Sequence, residues 1–370
     1  MTPEYGVRSL AEVLPALLNG GLSLEPARAA ALLLIDGLGA ELLRAHAADA
    51  PYLASLPDAG PLTVGFPSST ATSLTSLGTG LPPGGHGVLA TSMRVSDEVV
   101  MDMLKWTEHG TPTDLREDFP PEVFQPAATV FEQAEAAGVG VTVVSQARFY
   151  GSGLTRAALR GGEFAGVRAF GDLAARIVTA LAEPGRQLVY GYHADLDGMG
   201  HQHGPGSLPW RLQLAQVDRL VETIATRMPR DAVLAVTGDH GMVSMDRTFD
   251  ADTDPRLRAG VRTLSGEARV RHAHASLGAA ADVLATWQSV LGDAAWTMSR
   301  EQVVDEGWFG PLSPEFADRI GDVVAVARDT AGVIRTKAEP FISAMVGQHG
   351  GLTSAEQLVP LLVTGPPPRN

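Results

Sequence analysis

The chain has 370 residues, 45% hydrophobic and 19% charged, which supplies a large buried core and excludes a disordered or coiled-coil protein. Its formal net charge is −14 with no Lys/Arg block, which excludes a nucleic-acid-binding face built on basic patches. It has no cysteine, so disulfides, thiolate metal sites and a cysteine nucleophile are excluded.

Residues 1–20 lack a basic n-region and a continuous apolar stretch, and nowhere does an apolar run reach the roughly 18 residues a membrane span needs. A cytoplasmic protein without signal peptide or membrane contact is expected. Residues 8–19 have amphipathic helical spacing, ended by Asn19-Gly20-Gly21. Ala29–Ile35 is apolar without alternation, as suits a central parallel strand buried on both faces, and Asp36-Gly37-Leu38-Gly39 follows at once. A helix over 40–48 comes next.

A short β-like run, 61–66, leads into five hydroxyl residues in six, Ser68, Ser69, Thr70, Thr72 and Ser73. Leu74 and Leu77 then recur at helical spacing, and Gly78 and Gly80 mark a stop. A hydroxyl cluster before an apolar run is an N-cap, and exposed N–H groups at such a helix start also suit an anion. Further on, spacing predicts helices over 127–138, 172–181 with Asp172 as cap, and 208–228, and strands over 141–144, 187–192 and 232–236. From 245 to 340 the β/α alternation loosens into short strands (268–272, 323–326) around a helix near 279–291, and a last strand is expected over 358–363. The expected fold is α/β: a doubly wound, mostly parallel sheet flanked by helices, with a smaller α+β cap insertion. Residues 1–244 and 341–370 form the core, and 245–340 the cap.

Three strand ends carry acidic or imidazole groups beside glycine: Asp36, Asp197 with His201, and Asp239 with His240. A fourth glycine-flanked group, His349, precedes the last strand. Singly, each suits a cap or a polar turn. Together they lie where ligands gather in open α/β sheets, at the carboxyl ends of strands. Carboxylate plus imidazole suits Zn²⁺, with Mn²⁺ or Fe²⁺ as alternatives, and the set suffices for two ions. His193, Asp195 and His203 crowd the same stretch as alternative ligands; His86, His272 and His274 are expected to be structural.

The stretches LLLIDGLG, FPSSTATSLTSLGTGLPPGGHGV, DLDGMGHQHGP, TGDHGM and GQHGG resemble the ordered motifs of the alkaline phosphatase superfamily. They are most similar to its nucleotide pyrophosphatase/phosphodiesterase branch, over residues 30–363. The resemblance implies a two-metal-dependent hydrolase of small phosphate esters, a phosphodiesterase or nucleotide pyrophosphatase working through a covalent phospho-threonine. It implies that Asp197, His201 and His349 hold one ion, and that Asp36, Asp239 and His240 hold the other. Thr70, in the F-P-x-x-T pattern, is the implied nucleophile, with Ser68 and Ser69 as alternatives. The chain departs from the branch where an asparagine usually contacts a phosphoryl oxygen: here Thr91 stands, able to offer one hydrogen bond. That departure keeps phosphomonoesters and phosphonates open as substrates. A phosphomutase is a further alternative, although Lys105 and Lys337 lie away from every motif, and a sulfatase is excluded because its maturing cysteine is absent. Trp106, Phe149, Tyr150, Trp308 and Phe309 are candidate apolar walls of the substrate pocket or ordinary core residues.

Overall fold

The computed structural model describes residues 1–365. Five strands run parallel: β1 (Ala29–Ile35), β2 (Gly140–Gln146), β3 (Glu163–Val167), β4 (Gln187–His193) and β5 (Ala232–Thr237). The inserted segment supplies β6 (Val261–Glu267), β7 (Val270–Ala275), β8 (Ala295–Ser299) and β9 (Val323–Ala327), after which β10 (Leu362–Thr364) returns to the edge of the first sheet. The central order is β10-β5-β1-β4-β2-β3, with β10 antiparallel to β5. This is the doubly wound, mostly parallel α/β fold with an α+β insertion.

The principal helices are α1 (Val13–Asn19), α2 (Thr70–Thr79), α3 (Phe170–Ala182), α4 (Asp195–His203), α5 (Leu208–Ala225) and α6 (Ala280–Leu291). All seven residues of β1 are buried, and alternation divides them between two cores. Ala30, Leu32 and Leu34 join Leu74 and Leu77 of α2, while Ala29, Ala31, Leu33 and Ile35 meet Ile177 of α3 and Leu214, Val217 and Val221 of α5. Register brings Ile35 opposite His193 and Leu34 opposite Thr237. The carboxyl ends of β4, β1 and β5 therefore stand side by side.

The inserted sheet is antiparallel in the order β6-β7-β9-β8. One face packs under Val283, Trp287 and Leu291 of α6. The other face sends Val270, Val324 and Val326 into the same core as α2, beside Trp308 and Phe309. A fully buried ion pair, Arg269 with Glu356, also ties the insertion to the rest of the molecule, and a second buried pair, Arg271 with Glu339, lies within the insertion.

Some boundaries differ from expectation for local reasons. Residues 8–19 divide into a 3-10 turn, Leu10–Glu12, and α1. Asp172 sits inside the first turn of α3 rather than at its cap, where its carboxylate accepts the Arg168 N–H. The segment 127–138 is helical only over Val130–Ala136, started by a Thr129/Glu132 capping box. The run 358–363 breaks at Pro360, which has no ladder N–H. Leu358–Val359 pairs with Leu62–Thr63, and β10 pairs with β5.

Candidate metal centre

Three loops interlock at the shared strand ends because glycines let backbone touch backbone. Gly37 adopts φ +74, and a Cβ there would stand 3.0 Å from the Asp197 Cα. A Cβ on Gly238 would meet the Leu38 carbonyl oxygen at 2.3 Å. The Gly37 N–H donates to Asp239 Oδ1 at 3.0 Å, and the Asp36 N–H to the His193 carbonyl at 2.9 Å. Asp36 and Asp239 are thus fixed by neighbouring turns. Asp197 and His201 lie one turn apart on α4, Oδ2 to Nε2 at 3.3 Å. His349 arrives from the far end of the sequence: Gly347–Gln348 pairs antiparallel with Val243–Ser244, directly after His240.

The three imidazoles are held alike. Each presents Nδ1 to a backbone carbonyl: His201 to Gly347 at 2.8 Å, His349 to Ser68 at 2.9 Å, and His240 to Gly241 at 3.1 Å. With Nδ1–H donated outward to a carbonyl, every Nε2 lone pair faces the site, the orientation that metal-binding histidines take. The Nε2 atoms of His201 and His349 then stand 3.2 Å apart with lone pair toward lone pair, and the His240 and His349 rings stack at 3.5 Å. Nitrogen lone pairs so placed call for a cation between them.

The carboxylates have the same requirement. Asp36 Oδ1, Asp197 Oδ1 and Asp239 Oδ2 are buried with no hydrogen-bond partner. Burial, with Asp239 and Asp197 nearby, pushes the Asp36 carboxyl well above its ordinary value, and burial also raises Asp239. Burial acts to raise Asp197 as well, but His201 and then His349 and His240 outweigh it and bring that carboxyl below its usual range. Burial foremost, then His240, holds His349 well below the normal imidazole value. Ligand atoms of Asp197, His201 and His349 lie within 4.8 Å of one another, as do those of Asp36, Asp197 and His240. Asp197 belongs to both groups, and Asp239 Oδ2 lies 3.6 Å from His240 Nε2. The donor set, its unsatisfied oxygens and its outward Nδ1–H bonds fit divalent cations.

The hydroxyl cluster divides by accessibility. Thr70 is the first residue of α2, half-buried, with Oγ1 3.2 Å from His240 Nε2. Ser68 is fully buried, donates to the Gly351 carbonyl at 2.9 Å and accepts the Gly350 N–H at 3.1 Å. Ser69 is also fully buried, its hydroxyl on Thr72. Thr91 lies at the rim of the site with its N–H on Glu267 Oε2 at 3.0 Å. Burial raises that glutamate to about 7.

Of the alternative ligands, His193 faces Gln213 and Phe170, while Asp195 and His203 are exposed. His86 is enclosed between Ser76 and the Val88 N–H, and His272 and His274 are buried in the inserted sheet. Of the five aromatics, Phe149 lines a pocket at Thr70; Trp106, Trp308 and Phe309 are core residues, and Tyr150 is 74% exposed. Two supporting residues escaped the sequence reading. Tyr192 donates its hydroxyl to Asp36 Oδ2, and the Ser68 carbonyl orients His349. Tyr192 lies inside a strand, three residues before the DLDGMGHQHGP stretch, where the apolar run shows only that it is buried. Ser68 stood out in the sequence only for its hydroxyl, as a cap residue or an alternative nucleophile, which says nothing of its carbonyl.

Two pockets open at Thr70. One, about 160 Å³, lies on the Asp36 side; the other, about 140 Å³, lies on the His201/His349 side. Thr70, Leu104 and Asp197 line both.

Asp and His side chains able to hold metal ions thus gather at the strand ends of this sheet. Residues 30–352 match the type I phosphodiesterase / nucleotide pyrophosphatase family, and the chain belongs to that family. Among solved structures it is similar to murine ectonucleotide pyrophosphatase / phosphodiesterase 5, an inactive variant in complex with AMP (TM-score 0.69, 17% identity, 91% of this chain and 88% of that one). It is also similar to phosphonoacetate hydrolase from Sinorhizobium meliloti 1021 in complex with phosphonoacetate (TM-score 0.67, 19% identity, 91% and 90% covered). Among curated proteins, 66 residues are 32% identical to the catalytic subunit of GPI ethanolamine phosphate transferase 3 of Mus musculus, covering 18% of this chain and 6% of that protein. At these identities the solved structures share the fold. No helix among the described residues is long and apolar enough to cross a membrane.

Proposed function

We propose that this protein hydrolyses small-molecule phosphodiesters through a covalent phospho-threonine on Thr70, with two divalent ions, zinc foremost, as cofactors. Asp197, His201 and His349 would hold one ion and Asp36, Asp239 and His240 the other, Thr70 touching the second. The observation that supports the reading most is the position of Thr70. Its hydroxyl is 3.2 Å from His240 Nε2 and open to both pockets, while the neighbouring serines are buried and engaged.

When bound, the ions supply Lewis acidity to the phosphoryl oxygens and stabilise charge on the entering and leaving oxygens. The chain's own residues do the rest. The Thr70 oxygen forms a bond to phosphorus while the opposite P–O bond breaks, and the threonine proton ends on the departing alcohol. Unpaired N–H groups at the start of α2 donate to the transferred phosphoryl group, with the helix dipole in support. Water then breaks the Thr70–phosphorus bond, releasing a phosphomonoester and restoring the hydroxyl. A diester places one substituent in each pocket, whereas a monoester leaves one pocket without a group; this favours diesters over the monoester and phosphonate alternatives. Thr91, its N–H already engaged by Glu267, contributes at most its hydroxyl to the substrate.

The test compares rates on bis-p-nitrophenyl phosphate and p-nitrophenyl phosphate with added Zn²⁺ or Mn²⁺. A diester preference that Thr70→Ala abolishes supports the reading; a clear monoester preference, or a Thr70→Ala enzyme as fast as wild type, refutes it.

A further inference from the structure

A cavity of about 100 Å³ lies in the insertion, between the turn Pro255–Arg258, the start of β6 and the segment just past Ile334. It shares no lining residue with the two pockets at Thr70. Three guanidinium groups, from Arg258, Arg262 and Arg335, line it against one carboxylate, that of Asp252. The excess is local, because the chain as a whole carries a net charge of −14.

These arginines are poorly engaged by the protein. Arg256, in the same turn, is held by Asp254 at 2.6 Å, whereas Arg258 is exposed and has no ion-pair partner among the described residues. Arg262 is also exposed and reaches only Asp97, at 3.2 Å, whose side chain is 81% exposed. Arg335 is largely buried, at 17% side-chain exposure, yet its three contacts are long. They are Asp252 Oδ1 at 3.4 Å, the Leu264 carbonyl at 3.4 Å and Glu339 Oε1 at 3.5 Å. The competing carboxylate is already occupied, since Asp252 Oδ2 accepts the N–H groups of Lys337 and Ala338 at 3.0 and 2.7 Å. By contrast, Arg269 meets Glu356 at 2.9 and 2.8 Å. A mostly buried guanidinium with long contacts, beside a second with none, costs free energy that a bound anion relieves.

The lining also selects the anion. Guanidinium forks match both phosphate and carboxylate oxygens. A phosphate brings close to two charges and at least three acceptor oxygens, so three arginines favour it over a carboxylate with one charge and two oxygens. The volume holds a few waters or one small oxyanion, and it is well below the roughly 300 Å³ at which sites for drug-sized ligands begin. We propose that Arg258, Arg262 and Arg335 form a phosphate site in the insertion, separate from the metal centre. It takes inorganic phosphate or the terminal phosphoryl group of a monoester. Because Arg258 and Arg262 are exposed, its mouth faces solvent and an ester substituent points outward. This ligand class includes the product of the reaction proposed above, but the site does not depend on that reading.

The test titrates the zinc-loaded protein with inorganic phosphate by calorimetry at about 20 mM NaCl, a low ionic strength at which such pairs are weakly screened. Arg258→Ala/Arg262→Ala removes two exposed side chains outside the catalytic machinery. It should leave the rate on bis-p-nitrophenyl phosphate unchanged while weakening one class of phosphate site at least tenfold. In the wild type, about 200 mM NaCl should weaken that class severalfold, and acetate should bind to it at least tenfold less tightly. Phenyl phosphate distinguishes the two sources: affinity equal to that of inorganic phosphate marks a monoester ligand, and lost affinity marks free phosphate. Crystals soaked in tungstate should show an anomalous peak among the three arginines in the wild type and none in the double variant. Phosphate binding unchanged in the double variant, or a wild-type cavity without tungstate, would overturn the proposal. A protein inert toward bis-p-nitrophenyl phosphate that keeps this phosphate class would instead overturn the phosphodiesterase reading and leave the site standing.

Discussion

At the scale of single residues, most of the centre's chemistry follows from which nitrogen or oxygen is already engaged. Removing one ligand should show this in metal binding as well as in rate. Asp239→Ala should lower zinc affinity at one of two sites by at least tenfold by calorimetry and abolish turnover; full occupancy and activity would refute its role. Thr70→Ala should keep its zinc stoichiometry yet lose about 10³-fold or more in kcat on an aryl diester, because the nucleophile is gone and the ligands remain. A buried histidine outside the centre gives a separate expectation. Burial, helped by Arg319, lowers the His86 imidazole from 6.5 to about 3. The unfolded chain then binds the extra proton between those values, so the stability contributed by neutral His86 is present above about 6.5 and lost as pH falls toward 3. One such group changes unfolding free energy by up to about 1.4 kcal/mol per pH unit in that window. Urea titrations from pH 6.5 to 4.5 should show a shallower slope for His86→Gln than for wild type.

At the scale of elements, the centre exists because three loops meet without side chains between them. Gly238→Ala would drive a Cβ to 2.3 Å from the Leu38 carbonyl. It should cost about 1–3 kcal/mol in denaturant midpoint and loosen zinc binding, since Asp239 hangs from the displaced turn. Much of this was legible in the sequence: β1 announces itself by seven apolar residues, and Asp36, Asp239 and His240 follow apolar runs beside glycine. The helix bearing Asp197 and His201 was not, because DLDGMGHQH has little apolar content and two glycines, a poor helix by propensity that packing against α5 and β-residues 347–348 imposes. The break at Pro360 was visible as a residue but not as a change of sheet. Nor could Ser68 and Thr70 be separated by composition, since what divides them is Ser68's contact with a loop about 280 positions away.

At the scale of the whole molecule, the insertion is braced to the site rather than hinged over it. Arg269 grips Glu356 with two hydrogen bonds, and Glu356 in turn accepts the Gly351 N–H two residues past His349. Both members of the pair are fully buried, so Glu356→Gln leaves a buried guanidinium without its counter-charge and should destabilise the protein by about 3–5 kcal/mol, readable in denaturant midpoint. Chelation should also lower Tm, because ions that bind only the folded centre stabilise it by mass action. A chelator without effect on Tm would count against resident metal.

The hydrogen bond from His349 to the Ser68 carbonyl spans 281 positions, and this sets an order of events during synthesis. At roughly 5–20 residues per second, the helix that begins at Thr70 leaves the ribosome about 15 to 60 s before His349 does. During that interval β2 to β5 join β1, and Asp197, His201, Asp239 and His240 arrive, while the Asp197/His201 pair still lacks its third neighbour. On the two-ion reading proposed above, activity therefore waits for His349, whatever part of the sheet has folded before it.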